Sequence, residues 1–128
     1  AIVKRKILNG LSVIMGLLFI NGGLNKFFNY MPVPEDIPEP MLKDFQAIME
    51  IAWLMPLIGL AEVAGGLLIL FPKTRALGAL ILFPVAVGIL LTHIFVEPNS
   101  LLIALVIWAI LLWILIDNRK KYAPLIRS

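Results

Sequence analysis

Four stretches of this chain are long and apolar enough to cross a lipid bilayer, at about residues 7–28, 55–71, 76–96 and 99–116. A span needs about 20 mostly apolar residues at about 1.5 Å rise each, and an open chain at that depth satisfies its backbone polar groups only as a helix. Apolar residues run right round each stretch, as expected of helices that face lipid on one side and one another on the other. The composition agrees. Hydrophobic residues make up 61% of the 128, and charged residues 15%, against about 25% charged in a soluble domain. A soluble monomer of this size has too little polar surface to cover itself, and a disordered chain needs low hydrophobicity. Both are excluded. The absence of cysteine removes disulfides, thiolate metal sites and CxxC redox pairs, and one histidine rules out multi-histidine metal or haem ligation. The net charge of +3 is small and scattered, so no nucleic-acid partner is expected. The fold expected is an all-α integral membrane protein, a single four-helix transmembrane bundle over residues 1–128.

The basic residues set an orientation. Lys4, Arg5, Lys6, Lys73, Arg75, Arg119, Lys120, Lys121 and Arg127 lie at one end of the bundle, nine of the eleven in the chain. Cytoplasmic loops carry the excess of lysine and arginine, so both termini are expected inside. The run Lys4-Arg5-Lys6 before an apolar stretch also has the shape of a signal peptide, with Gly22 and Gly23 in the place of a cleavage region. Residues 7–28 are read here as a span.

One connection is long, residues 29–54. It begins with four prolines between Met31 and Pro40, which enforce an extended path. A helical period follows. Met41, Leu42, Phe45, Ile48, Met49, Ala52 and Trp53 fall on one face and Lys43, Gln46, Ala47 and Glu50 on the other. This spacing predicts a short amphipathic helix on the outer surface or folded back over the bundle. Its polar face, with Gln46 and Glu50, is the candidate contact surface for a membrane or periplasmic protein partner.

Inside a bilayer the informative residues are the costly ones. Glu62 is charged in the middle of an apolar stretch, roughly 10 Å below the outer end of its helix, where an acid costs about 2.5–3.5 kcal/mol. Ile58, Gly59, Gly65, Gly66 and Ile69 share its face, so a neighbouring helix can come close and the acid is expected to point inward. Asn21 matches Glu62 in depth, and Asn25 lies one turn further along the same stripe. Lys26 is close to the boundary, free to snorkel outward or turn in. Thr92 and His93 stand about one turn from the outer end of the third span, with Glu97 four residues beyond His93. Pro84 breaks the ladder of that span and opens space beside it. The expectation is a polar pocket opening outward, built from Glu62, Asn21, Asn25, Lys26 and His93. Interhelical hydrogen bonds worth about 0.6–2 kcal/mol each are the plainer account of the same residues. No residue is assigned a catalytic role, and no metal is expected.

At these residues the chain resembles the DoxX family of small four-span bacterial membrane proteins. The segment Gly16-Leu17-Leu18-Phe19-Ile20-Asn21-Gly22-Gly23-Leu24-Asn25-Lys26-Phe27 is similar to that family's glycine-then-lysine end of span one. The segment Gly59-Leu60-Ala61-Glu62-Val63-Ala64-Gly65-Gly66-Leu67-Leu68 is similar to its buried glutamate followed by paired glycines, and Pro72-Lys73-Thr74-Arg75 to its basic turn. The resemblance implies a multi-pass protein of the bacterial inner membrane, with Lys26 and Glu62 as the matching family residues. Relatives are subunits linked to sulfur-compound:quinone oxidoreduction or oxidant defence, and distant ones are assembly chaperones. Three functions stay open: a redox-associated subunit holding a quinone, a scaffold or chaperone that binds a protein, and a small-solute or proton-coupled carrier. The lack of cysteine counts against direct thiol chemistry, and the lack of a second polar route from the cytoplasmic half counts against a carrier.

Overall fold

Every apolar stretch is helical, since no other open structure meets its backbone hydrogen bonds without water. In the computed structural model, which describes residues 2–30, 37–96 and 98–126, α1 spans Ile2–Phe28, α2 Glu39–Glu50, α3 Leu54–Leu70, α4 Arg75–Phe95, α5 Leu101–Asp117 and α6 Arg119–Tyr122. Single 3-10 turns, Pro98–Ser100 and Ala123–Leu125, precede α5 and follow α6. Among the described residues there is no strand. The chain is an all-α membrane protein whose helices α1, α3, α4 and α5 pack in that order, with α5 returning to α1.

Three are long and apolar enough to cross a membrane: α1, α4, and α5 together with the 3-10 turn before it, Pro98–Asp117. The exception is α3, at 17 residues with no such extension in line, about 25 Å long against a hydrocarbon core of about 30 Å. It reaches spanning length only together with α2, and the two meet at 97°. The break follows from local chemistry. Ile51 is extended at the end of α2, and the Leu54 amide bonds the Ile51 carbonyl at 3.0 Å to start a new helix. Proline flanks the other end of α2, as N-cap Pro38 and in the first turn as Pro40, where no backbone donor is needed. Thus α2 lies across the end of the bundle and is no continuation of α3. Pro-rich residues 31–36 and Glu97 fall outside the described residues.

Glycines set the spacing of α1 and α3. A Cβ at Gly66 would sit 2.7 Å from the Gly16 carbonyl oxygen, and one at Gly23 would sit 2.6 Å from that of Gly59. The two helices therefore touch backbone to backbone at both levels, a packing that only small residues permit. The core is uneven along the bundle. Leu8, Met15, Ile69, Leu82, Leu111 and Ile114 are the largest fully buried apolar side chains. All six lie in the half of the bundle that carries the chain termini. In α4 the buried residues run from Arg75 to Ala86 and stop there, just past Pro84.

The same end is tied by polar groups. Arg75, 3% exposed, donates from Nε to the Ile69 carbonyl at 2.9 Å and from Nη2 to Asn9 Oδ1 at 2.8 Å. The Thr74 hydroxyl donates to the Leu68 carbonyl at 2.7 Å. Together they satisfy carbonyls that the end of α3 would otherwise leave unpaired in lipid. Tyr122 donates to the Ala76 carbonyl at 2.8 Å, and burial pushes its phenol above the usual range.

Candidate functional site

The end of the bundle opposite the termini is open where the other is packed. A cavity of about 520 Å³ lies between α3 and α4, with α2 across it. Helix α3 contributes Ile58 and Glu62, and α4 contributes Pro84, Gly88, Thr92 and His93. Helix α2 adds Met41, Phe45 and Ile48, three positions of its apolar face, together with Asp44. Lys26 is the residue from α1. The walls are overwhelmingly apolar, so the few polar groups stand out.

The strongest of these is an ion pair between Lys26 Nζ and Glu62 Oε1. The Glu62 side chain is 8% exposed and that of Lys26 26%. Lys26 has turned inward. Two local features place the pair. Gly22 lies one turn before Lys26 on the same face of α1, and a Cβ there would come within 3.0 Å of Glu62 Oε2. Bare backbone at Gly22 thus leaves room for the carboxylate, and Lys26 closes over it. Gly65 and Gly66, flanking Glu62 on α3, draw in α4 and α1 respectively: a Cβ at Gly65 would lie 2.6 Å from Leu82 Cγ. The acid is buried because helices close in on both sides of it.

His93 is half-buried in the cavity wall, and its Nδ1 donates to the Ile89 carbonyl at 2.8 Å. A carbonyl only accepts, so Nδ1 carries a proton. Thr92 gives its hydroxyl proton to the Gly88 carbonyl at 2.8 Å. His93 and the α2 residues Met41, Asp44, Phe45 and Ile48 line one cavity. Glu97, four residues beyond His93 in the sequence, lies outside the described residues.

Asn21 and Asn25 do not line the cavity. Asn21 is exposed on another face of α1, and the Tyr30 hydroxyl bonds both its side-chain oxygen and its backbone carbonyl, the latter at 2.9 Å. The chain reverses to make this contact. Asn29 adopts φ 51°, the left-handed conformation that often ends a helix, and its amide bonds the Asn25 carbonyl at 2.8 Å. Gln46 and Glu50 are exposed on the far face of α2. Among the described residues no cluster of three or more His, Asp or Glu side chains suits a metal ion.

The sequence allowed the amphipathic helix to fold back over the bundle, and its apolar face does line the cavity; it did not mark Asp44 as cavity wall or Gly22 as the recess for the acid. For Gly22 the available signal was its i, i+4 spacing to Lys26. Taken together, the arrangement can hold an amphiphile: apolar walls for a ring or tail, an ammonium and an imidazole for a polar head.

The sequence model of the DoxX-like family matches residues 10–115 of this chain. No curated protein and no solved structure matches it.

Proposed function

The chain belongs to the DoxX-like family of membrane proteins, and from that membership we propose that it is an accessory subunit of a quinone-linked redox system, binding a neutral amphiphile in the α2–α3–α4 cavity. The observation that carries this reading is the Lys26–Glu62 pair at the side of an apolar cavity of about 520 Å³. Small-molecule sites are of about 300–1,000 Å³, mostly apolar, with a few placed polar groups. The charges that line it are Lys26, Glu62 and Asp44, net −1 with His93 neutral. A fatty-acid carboxylate is repelled by that sum, whereas a quinone carbonyl accepts from Lys26 without displacing Glu62. A quinone, when bound, supplies reversible carriage of electrons and protons; the residues here hold and orient it. Lys26 donates, Glu62 keeps the ammonium in place, and Met41, Phe45 and Ile48 keep water from the ring. The reading sets the termini on the cytoplasmic side of a bacterial inner membrane, a placement the charge bias supports.

The test is to purify the chain in a neutral detergent and extract it for mass spectrometry of isoprenoid quinones. Quinone is expected at close to one per chain, with loss in Ile58→Trp, which fills the cavity. A quinone content equal to that of an unrelated membrane protein purified alongside overturns the reading.

A scaffold function has one observation in its favour: Lys43, Gln46, Ala47 and Glu50 are exposed on the far face of α2, where a periplasmic protein would meet them. A carrier has an observation against it. The half of the bundle beyond the cavity is filled by Leu8, Met15, Ile69, Leu82, Leu111 and Ile114, and among the described residues there only Ser12, Arg75 and Asn118 are polar and buried.

A further inference from the structure

A second recess lies at the other end of the molecule, about 210 Å³ in volume, in the groove where α5 returns to α1. Its walls are Lys4, Arg5 and Leu8 from α1 and Trp113 and Asp117 from α5. The lining is divided by depth. Leu8 is buried and Trp113 half-buried on the membrane side, and the charged groups stand above them at the mouth. Arg5 is fixed as a fork on Asp117, Nη1 to Oδ2 at 2.7 Å and Nη2 to Oδ1 at 3.2 Å. That bond spends two of the five guanidinium N–H donors and leaves three. The Arg5 side chain is 66% exposed, so those donors are accessible. Lys4, exposed beside it, adds a mobile ammonium.

We propose that this groove is a binding site for the phosphodiester headgroup of an anionic phospholipid. The lining sums to +1, from Lys4, Arg5 and Asp117, which matches the single negative charge of such a phosphodiester. Arg5, pre-oriented by Asp117, donates to the phosphate oxygens in a fixed geometry, and Lys4 closes on the same oxygens. Trp113 lies at the level of the glycerol backbone, where indole rings are favoured, and Leu8 receives the start of an acyl chain. The wider field favours this end as well. It carries nine lysines and arginines, and Asp117 is its one acid in the whole sequence. Basic recesses between transmembrane helices are where acidic lipids bind. The cavity at the opposite end, with a net −1 lining, selects against the same headgroup. This site does not depend on what that cavity binds.

The test uses native mass spectrometry of the full chain in neutral detergent, titrated with phosphatidylglycerol or phosphatidylcholine of matched acyl chains, and separately with inorganic phosphate. Phosphatidylglycerol is expected to bind preferentially, with one adduct dominant. Lys4→Gln, which touches no ion pair, should weaken it about five-fold. Arg5→Gln combined with Asp117→Asn removes both partners at once, so no charge is stranded, and should abolish the preference. Lys120→Gln with Lys121→Gln should leave it within two-fold. Equal binding of the two lipids overturns the proposal, as does an equal loss in the Lys120/Lys121 variant, which would mean diffuse attraction. Inorganic phosphate binding as tightly as the lipid would assign the recess to free phosphate and overturn the lipid.

Discussion

The Lys26–Glu62 pair makes a prediction whose magnitude depends on which partner is removed. Removing one member of a fully buried pair costs about 3–5 kcal/mol, because the other is left charged and unpaired. The two residues here are not equally trapped. Glu62 is on a short stem, 8% exposed, with bare backbone at Gly22 against its carboxylate. Lys26 is two residues from the end of α1 and 26% exposed, on a stem long enough to carry the ammonium out to the interface. Lys26→Met therefore strands the acid and should cost about 3 kcal/mol, toward the low end for a buried pair. Glu62→Met lets the lysine swing out, and should cost about 1–2 kcal/mol, mainly the lost attraction. The double variant replaces the pair with apolar groups of similar volume and should lie within about 1 kcal/mol of the parent. Its coupling energy is then about 3–5 kcal/mol. Equilibrium unfolding in mixed micelles, titrated with SDS and followed by circular dichroism, measures all four proteins. Losses that add to within about 0.5 kcal/mol would show that the pair contributes no coupling. A Glu62→Met variant less stable than Lys26→Met would refute the argument from depth and exposure.

Other consequences are as specific. Gly66→Ala puts a Cβ 2.7 Å from the Gly16 carbonyl and should destabilise by about 1–3 kcal/mol, whereas Gly10→Ala, with nothing within 4 Å, should stabilise by about 0.5–1 kcal/mol through helix propensity; equal effects in the same SDS titration would contradict the close approach of α1 and α3. Tyr122 has its phenol raised by burial above the ordinary 10.0, so the folded form holds that proton more tightly. Its contribution is complete below pH 10 and is lost as pH climbs beyond it. Melting temperature should fall as pH rises above 10 and fall less steeply in Tyr122→Phe; parallel profiles would count against it. The chain has no cysteine, so single cysteines at Gln46 and Lys120 can be labelled in intact cells with an impermeant maleimide. Position 46 should react and position 120 should not, and the reverse pattern would invert the proposed orientation.

Much of this protein was decided residue by residue. Transfer of apolar groups into lipid and the rise of a helix are local properties, so the membrane environment, the helices and the cost of burying Glu62 follow from the order of residues. The small-residue face around Glu62 belongs to the same class, and the acid is buried at 6% exposure. Depth, too, is legible, since it is a count multiplied by a rise. Direction around the helix axis is not. Asn21 and Glu62 match in depth, yet neighbouring α1 positions differ by about 100°, and it is Gly22 and Lys26 that meet the acid while Asn21 faces Tyr30. Which azimuth faces which neighbour is set by how α1 and α3 pack, through the pairs Gly16–Gly66 and Gly23–Gly59. The turn between α2 and α3 likewise brings Met41, Phe45 and Ile48 over the cavity, because a 97° break redirects a face whose period the sequence already carries. Arg75 reads as one more topogenic charge until the end of α3 presents the Ile69 carbonyl to it. Arg5 and Asp117, 112 residues apart, become neighbours only when α5 returns to α1. Such contacts join groups that no local interaction relates, so the packing of the helices alone determines them.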